Sequence, residues 1–343
     1  MRGEEAKRYR PPYPLVFLVL LAVGGLVLVL SLGWGSVWVP PGKVLAALLH
    51  PLREGGIAEA VVVKIRLPRV LGAFLGGASL GVSGLLLQVF FRNPIVSPYV
   101  LGVSSGASLA VGIATLGGAL AGAALAPPQM ALAAFAGAFF VTTGVAALAP
   151  RVQSVVTLLV IGLMFGYLAS AATSILLAFA EKERVHGFFL WTLGSFSGFG
   201  WGEVAVLAAA GLPLCLVSLV AGKALNAYQS GEEYALSVGV NVRRLRAAIV
   251  LLASALAGLV TAFAGPVAFV GLAVPHLGRL VLRTADNRVL VPAVVLLGAV
   301  VTGLCDLLAR QVFSPVELPI TAVTSFFGAP LVVGFLLKRK VKL

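Results

Sequence analysis

The chain has 343 residues, 60% of them hydrophobic and only 11% charged, with a mean hydropathy of +1.06. Soluble domains carry about a quarter charged residues, so this composition excludes an ordinary soluble enzyme or binding module and describes a polytopic membrane protein. The formal charge of +13 would suit a nucleic-acid partner, but its distribution along the chain assigns it to loops on one side of a membrane, and no nucleic acid is expected.

The N-terminal stretch "MRGEEAKRYRPPYP" is basic with two early acids. The apolar run 15–33 follows, and Leu15–Leu32 alone gives about 18 residues, enough for one crossing. No small-residue cleavage pattern comes after it, so it is expected to stay as a first helix and not to act as a signal peptide. Further apolar runs cover 68–91, 99–125, 129–149, 155–179, 204–221, 247–283, 289–309 and 319–337. The run 247–283 exceeds the roughly 20 residues of a crossing. It carries "AGP" at 264–266, where proline interrupts a helix. Splitting it there predicts about ten transmembrane helices, an all-α bundle and one transmembrane domain over 1–343.

Ten spans place both termini on one side. That side holds 17 of the lysines and arginines and the other holds 8. The positive-inside rule then makes the termini cytoplasmic, with 1–14 as a tail. It puts "FRNPIVSP" (91–98) on the cytoplasmic side and "RLPR" (66–69) outside.

Glycine pairs at 72/76, 77/81, 102/106 and 162/166 have the small-xxx-small spacing that lets membrane helices approach closely, within one chain or across a dimer face. Cys215 and Cys305 lie in apolar runs and read as buried thiols, with no metal-ligand or disulfide framework. "RNPIVSPY" and "AGPVAFVGLAVPHLGR" are proline-broken stretches next to cytoplasmic boundaries or helix breaks. Such backbone is tolerated only where protein or a watery cavity satisfies the freed polar groups. A structural kink and a translocation path both remain open. "GASLGVSGLLLQVFFRNPIVSP" and "SALAGLVTAFAGPVAFVGLAVPHL" are weakly alike in helices of opposite predicted direction, as in an inverted repeat.

Six motifs now stand in order: "RLPR" with its glycine-rich helix, "RNPIVSPYVLGVSSGA", "GEEYALSVGV" (231–240), "AFVGLAVPHLGRL" (268–280), "DLLAR" (306–310) and "ELPITAVTSFFGAP" (317–330). Over about residues 15–338 the chain resembles the FecCD family, the permeases of binding-protein-dependent ABC importers for metal chelates, which include the cobalamin permease. The resemblance implies a ten-helix, cobalamin-permease-like subunit in the inner membrane, acting as a homodimer with its path at the dimer interface. It implies two copies of a separate ABC ATPase carrying ATP and Mg, an extracytoplasmic substrate-binding protein, and membrane lipid around the bundle.

No cofactor and no catalytic residue are expected in this chain, which is read as not itself an enzyme. "GK" at 42–43 and 222–223 lacks the glycine five residues ahead and the following Ser or Thr of a phosphate-binding loop. The long polar segment 223–246 contains a short helix near Glu232–Val238 and a turn at Gly239–Asn241. By resemblance it is a coupling loop, with Gly231, Glu232, Ala235 and Gly239 at the ATPase contact; a solvated loop is the plain alternative. Arg66, Arg69 and Arg310 match family positions that pair with acids on the binding protein, and fixed guanidinium forks suit carboxylates. Contact with headgroup phosphate is the alternative. Asn93, Pro94 and Ile95, with Val155, Val156 and Thr157, match the family's inner gate; the valines make it more apolar than the Ser/Thr character expected of the cobalamin branch.

His186, Trp191 and Trp201 lie in an outward loop, where an interface anchor or structural role competes with ligand contact. His276 is expected to stabilise the broken helix. Asp306 is expected to pair with Arg310 one turn on, although an intramembrane carboxylate also suggests a proton relay. Two functions from different classes remain: an ABC importer permease for a metal chelate (iron–siderophore first, then haem, corrinoid or oxyanion), and a secondary transporter or channel without an ATPase.

Overall fold

The computed structural model describes residues 11–35, 37–49, 56–116, 127–148, 151–152 and 154–338. Among these, all regular structure is helical. In chain order the helices are α1 (Tyr13–Gly33), α2 (Pro41–Leu49), α3 (Ile57–Val61), α4 (Leu67–Phe90), α5 (Val103–Leu116), α6 (Pro127–Leu148), α7 (Val155–Phe179), α8 (Lys182–Thr192) and α9 (Trp201–Val220). They continue as α10 (Gly222–Ser230), α11 (Glu232–Ser237), α12 (Val242–Ala264), α13 (Val270–Leu282), α14 (Asn287–Gln311) and α15 (Ile320–Lys338).

The ten expected spans correspond to α1, α4, α5, α6, α7, α9, α12, α13, α14 and α15. Seven helices are long and apolar enough to cross a bilayer outright; Val103–Leu116, Val270–Leu282 and Ile320–Gly334 are shorter apolar stretches. The protein is therefore a multi-pass membrane bundle. The N-terminal residues 1–10 of the expected tail lie outside the described residues, as does much of the end of the expected run 99–125.

α4 is the central post. It packs against α14, α12, α13 and α9, and nearly all of its side chains from Pro68 to Phe90 are buried. A lipid-buried helix gains little from apolar character alone; it is held by backbone proximity and dispersion. That is why the α4 sequence is so rich in glycine. A Cβ on Gly77 would overlap the Gly298 carbonyl of α14, and one on Gly84 would overlap the Gly271 carbonyl of α13. All four small-residue pairs read from the sequence make contacts within the chain, Gly102 against Gly162 and Gly166 among them.

α4 and α12 run antiparallel in register. The Ser83 hydroxyl donates to the Ala253 carbonyl (2.5 Å), and Gly76 faces Val260. Each of the two helices is followed by a break and a short helix. After α4 the chain turns at Arg92 (φ 47°) and passes a 3-10 turn at Pro98–Leu101 into the 14-residue α5. After α12 it turns at Gly265 (φ 69°) and Phe269 (φ 65°) into the 13-residue α13. The two breaks meet. The Val267 amide donates to the Tyr99 hydroxyl (3.0 Å), and a Cβ on Gly271 would come within 2.5 Å of the Pro98 ring. The weak repeat in the sequence is thus two broken hairpins of opposite direction, crossing at their breaks.

The bundle has two chemically distinct ends. One gathers Arg92, Tyr228, Glu232, Arg246 and Asp286, joined by the contacts described below. The other gathers Arg66, Arg69, Asp306, Arg310 and Glu317. α1 reaches the second end at Gly33 and α15 starts from it at Ile320, so Tyr13 and Lys338 lie at the first, basic end.

Candidate functional site

At the basic end α10, α11 and the start of α12 form the segment expected to be a coupling loop. Gly231 ends α10 at φ 137°, a backbone that an L side chain rarely adopts, and this lets α11 start in a new direction. Gly239 (φ 82°) closes α11, where the amides of Gly239 and Val240 donate to the carbonyls of Leu236 (3.0 Å) and Ala235 (2.9 Å). The Asn241 side chain accepts from the Arg244 amide (3.0 Å) and caps α12. Ala235 is fully buried and seats α11 on the bundle. Tyr234, Leu236 and Val238 are left exposed, an apolar knob on an otherwise polar end.

Glu232 does not face outward. Its carboxylate pairs with Arg246 and lies 4.0 Å from Arg92, while the Tyr228 hydroxyl donates to it (3.4 Å). Arg92 donates to the Tyr228 carbonyl (3.0 Å), and its guanidinium sits 5.0 Å from the centre of the Tyr228 ring. Burial pushes the Tyr228 phenol up from its ordinary range, so it remains a neutral donor. Tyr228 in turn stacks on Phe90, the last residue of α4. Glu232 is therefore tied to the residue immediately before the "NPI" break. The sequence showed Arg92 and Arg246 only as members of a charge count.

The break itself is an Asx turn. Asn93 Oδ1 accepts from the Ile95 amide (3.1 Å), and the Asn93 amide donates to the Gln88 carbonyl (3.1 Å). Pro94 is half-buried and Ile95 exposed. On α7, Val156 and Thr157 are exposed; the Val155 side chain is outside the described residues. The segments 93–95 and 155–157 do not meet through a described contact. α7 touches this stretch further on, where Gly162 packs against Leu101.

At the opposite end the three expected docking arginines do converge, but with partners from their own chain. Arg66 is buried and donates to the carbonyls of Leu32 (2.7 Å), Gly33 (3.1 Å) and Val37 (2.5 Å), capping α1. Arg69 gives Nε to both Asp306 oxygens (3.1 and 3.2 Å) and Nη1 to both Glu317 oxygens (2.9 and 3.0 Å). Arg310 pairs with Asp306 at 3.3 Å, one helical turn away as expected. Glu317 opens the sixth motif, but its role as a partner of Arg69 is not readable there, because the two lie 248 residues apart.

His276 is buried on α13, with Nδ1 3.4 Å from Arg279, which donates to Gln88 of α4 (2.7 Å). It thus packs inside the broken hairpin. His186 is exposed on α8, and the Trp201 indole donates to the Val63 carbonyl (3.1 Å). Cys215 and Cys305 are buried free thiols. Among the described residues no group of three His, Cys, Asp or Glu could hold a metal ion.

The model of the FecCD transport family matches residues 20–339. The chain belongs to the FecCD transport family. Among curated relatives, this FecCD protein is 34% identical over 348 residues to the hemin transport system permease protein HmuU of Yersinia pestis, covering 99% of the chain and 98% of the relative. It is also 34% identical over 339 residues to the vitamin B12 import system permease protein BtuC of Salmonella paratyphi A, covering 98% of each. A solved structure, described as an inward-facing conformation of a candidate metal-chelate type ABC transporter, superposes with a TM-score of 0.84 at 29% identity. That match covers 95% of this chain and 100% of the other.

Proposed function

We propose that this FecCD protein is the membrane-spanning permease of an ABC importer, working as a homodimer in the cytoplasmic membrane with its basic end inside. Two copies of a separate ATPase, which carry ATP and Mg, dock on the α10–α11 segment. There Gly231 and Gly239 set its direction, Ala235 seats it, and the exposed Tyr234, Leu236 and Val238 supply apolar contact. The cargo is a metal chelate, an iron–siderophore or haem complex ahead of a corrinoid. An extracytoplasmic binding protein delivers it to the end bearing Arg66, Arg69 and Arg310.

One observation carries the reading: Glu232, in the loop offered to the ATPase, is linked through Arg92 and Tyr228 to the break at Asn93–Ile95. A push on α11 is transmitted to the point where the two broken hairpins cross. Asn93, Pro94 and Ile95, with Val155, Val156 and Thr157, are the gate that this push opens and shuts. The secondary-transporter reading is weaker, since Asp306, the intramembrane carboxylate a proton relay would use, is held between Arg69 and Arg310.

The test is reconstitution in liposomes with the cognate ATPase and binding protein, measuring uptake of labelled iron–siderophore, haem and cobalamin. ATP-dependent uptake of one iron chelate supports the proposal. Uptake that runs without any ATPase, driven by an ion gradient, would overturn it; ATP-driven uptake of cobalamin alone would keep the importer and discard the cargo.

A further inference from the structure

α6 and α9 both lean on α12 and leave a crevice of about 250 Å³ between them. Its walls are Phe135, Phe139 and Thr142 of α6, Leu214 of α9, and Leu251 and Ala255 of α12. The lining is almost wholly apolar, and the Thr142 hydroxyl is already spent on the Ala138 carbonyl (2.7 Å). Phe139 and Leu251 are about half exposed, so the crevice opens sideways toward the surrounding membrane.

The mouth of the crevice is basic. Along α12 the residues Arg244, Ala248, Leu251, Ala255 and Gly258 recur at helical spacing and share one face. That face is exposed from Arg244 to Leu251 and sinks into the bundle at Gly258, which packs on Ala138 of α6. Arg244 therefore lies about 10 Å beyond Leu251 and about 21 Å beyond Gly258, at the membrane boundary. α6 runs the other way and ends at Leu148, about 15 Å beyond Ala138, and Arg151 lies against that end, donating to the Ala147 carbonyl (3.4 Å). Both arginines are exposed, and among the described residues neither has a carboxylate partner. Lys223 marks the same boundary where α9 gives way to α10.

We infer that this crevice is a binding site for one anionic phospholipid per protomer, with an acyl chain between α6 and α9 and its phosphate between Arg151 and Arg244. The fit is one of depth and charge. Half a bilayer is about 15 Å of hydrocarbon and about 20–22 Å with its headgroup region, and the roughly 21 Å from Arg244 to the crevice floor at Gly258 spans the second distance. Two long cationic side chains at its mouth reach up to the headgroup level and favour a negative headgroup over a zwitterionic one. The site is separate from the crossing of the breaks and from the α11 knob. It touches the stem of α12, whose first residues, Arg244 among them, close the coupling segment, so an occupied crevice props α12 against α6.

The test uses the full-length protein, stripped of lipid in mild detergent and titrated by native mass spectrometry with dioleoyl phosphatidylglycerol and with dioleoyl phosphatidylcholine. One phosphatidylglycerol should bind per protomer, preferred by roughly thirtyfold, as two cationic side chains at a membrane surface would give. Arg151→Gln with Arg244→Gln should erase the preference and keep chain binding. Leu251→Trp should fill the crevice and abolish both, whereas Val220→Trp, on the exposed face of α9 outside it, should change neither. Equal binding of the two lipids, or a Leu251→Trp protein that still retains phosphatidylglycerol, would overturn the site. So would a preference that vanishes when the ATPase partner is bound, because the arginines would then belong to that interface.

Discussion

At one end of the bundle Asp306 sits between Arg69 and Arg310; at the other, Glu232 sits between Arg92 and Arg246. The chemistry is the same and the setting is not. The side chains of Arg69, Asp306 and Arg310 are 9%, 2% and 8% exposed, against 42%, 35% and 20% for Arg92, Glu232 and Arg246. A buried ion cluster has already borne its desolvation, and removing one member strands the others in a medium that cannot solvate them. A half-exposed cluster can exchange its partners for water at little cost. The first is a lock joining α4, α14 and the start of α15. The second is a joint, fit for a part that has to move.

The sharpest way to break this contrast is Asp306→Ala. It leaves Arg69 and Arg310 facing each other without their shared carboxylate, and it should destabilise the protein by about 3–5 kcal/mol. Thermal unfolding in detergent reads this as a large fall in Tm, and an unchanged Tm would mean the lock is not one. Next comes the crossing between the two ends. Gly271→Ala drives a methyl into the Pro98 ring, and overpacking of that kind costs about 1–3 kcal/mol. Uptake should be lost even where the ATPase still assembles.

Glu232→Gln tests the joint. Its effect on Tm should be small, within about 1 kcal/mol, yet uptake per ATP hydrolysed should drop about tenfold, the size of an ordinary coupling energy. A variant that loses stability and keeps coupling would reverse the roles assigned to the two clusters.

The smallest effect is expected in acid. Asp286 accepts from Arg288 and from Asn226 of α10 (2.7 Å), and these contacts hold its carboxyl well below the usual carboxylate range. Because the folded pKa is depressed, the stabilisation is present above the ordinary aspartate value of about 3.9 and fades as the pH falls below it. Hydrogen-exchange protection in α10, taken relative to the intrinsic rate at each pH, should be flat from neutral pH to about 5 and fall below about 4. Asp286→Asn should show the reduced protection already at neutral pH.

Hydropathy made the ten spans legible, and proline and glycine marked both breaks, because these are local properties of the chain. The faint likeness of 77–98 to 254–277 was legible too, and it corresponds to the antiparallel pairing of α4 with α12. The pairing of Glu317 was not legible. Its partner Arg69 lies 248 residues away, and only the fold brings them together. Arg66 illustrates a related blind spot: an arginine on a loop and an arginine capping a distant helix have the same spelling. The Arg92–Glu232–Arg246 set was hidden because positive charge at that end has a generic explanation that needs no partner.

Glu317 also sets the terms on which any visitor is received. Its side chain is 47% exposed and already occupies one arm of the Arg69 fork. On the docking proposal, an arriving carboxylate cannot simply be added; it has to evict an incumbent. Affinity at this surface is then a difference between two similar ion pairs, and a newcomer's success depends on bringing more than one charge to the exchange. Eviction also frees the strand of chain leading into α15, so the swap of one acid for another is at the same time a mechanical release.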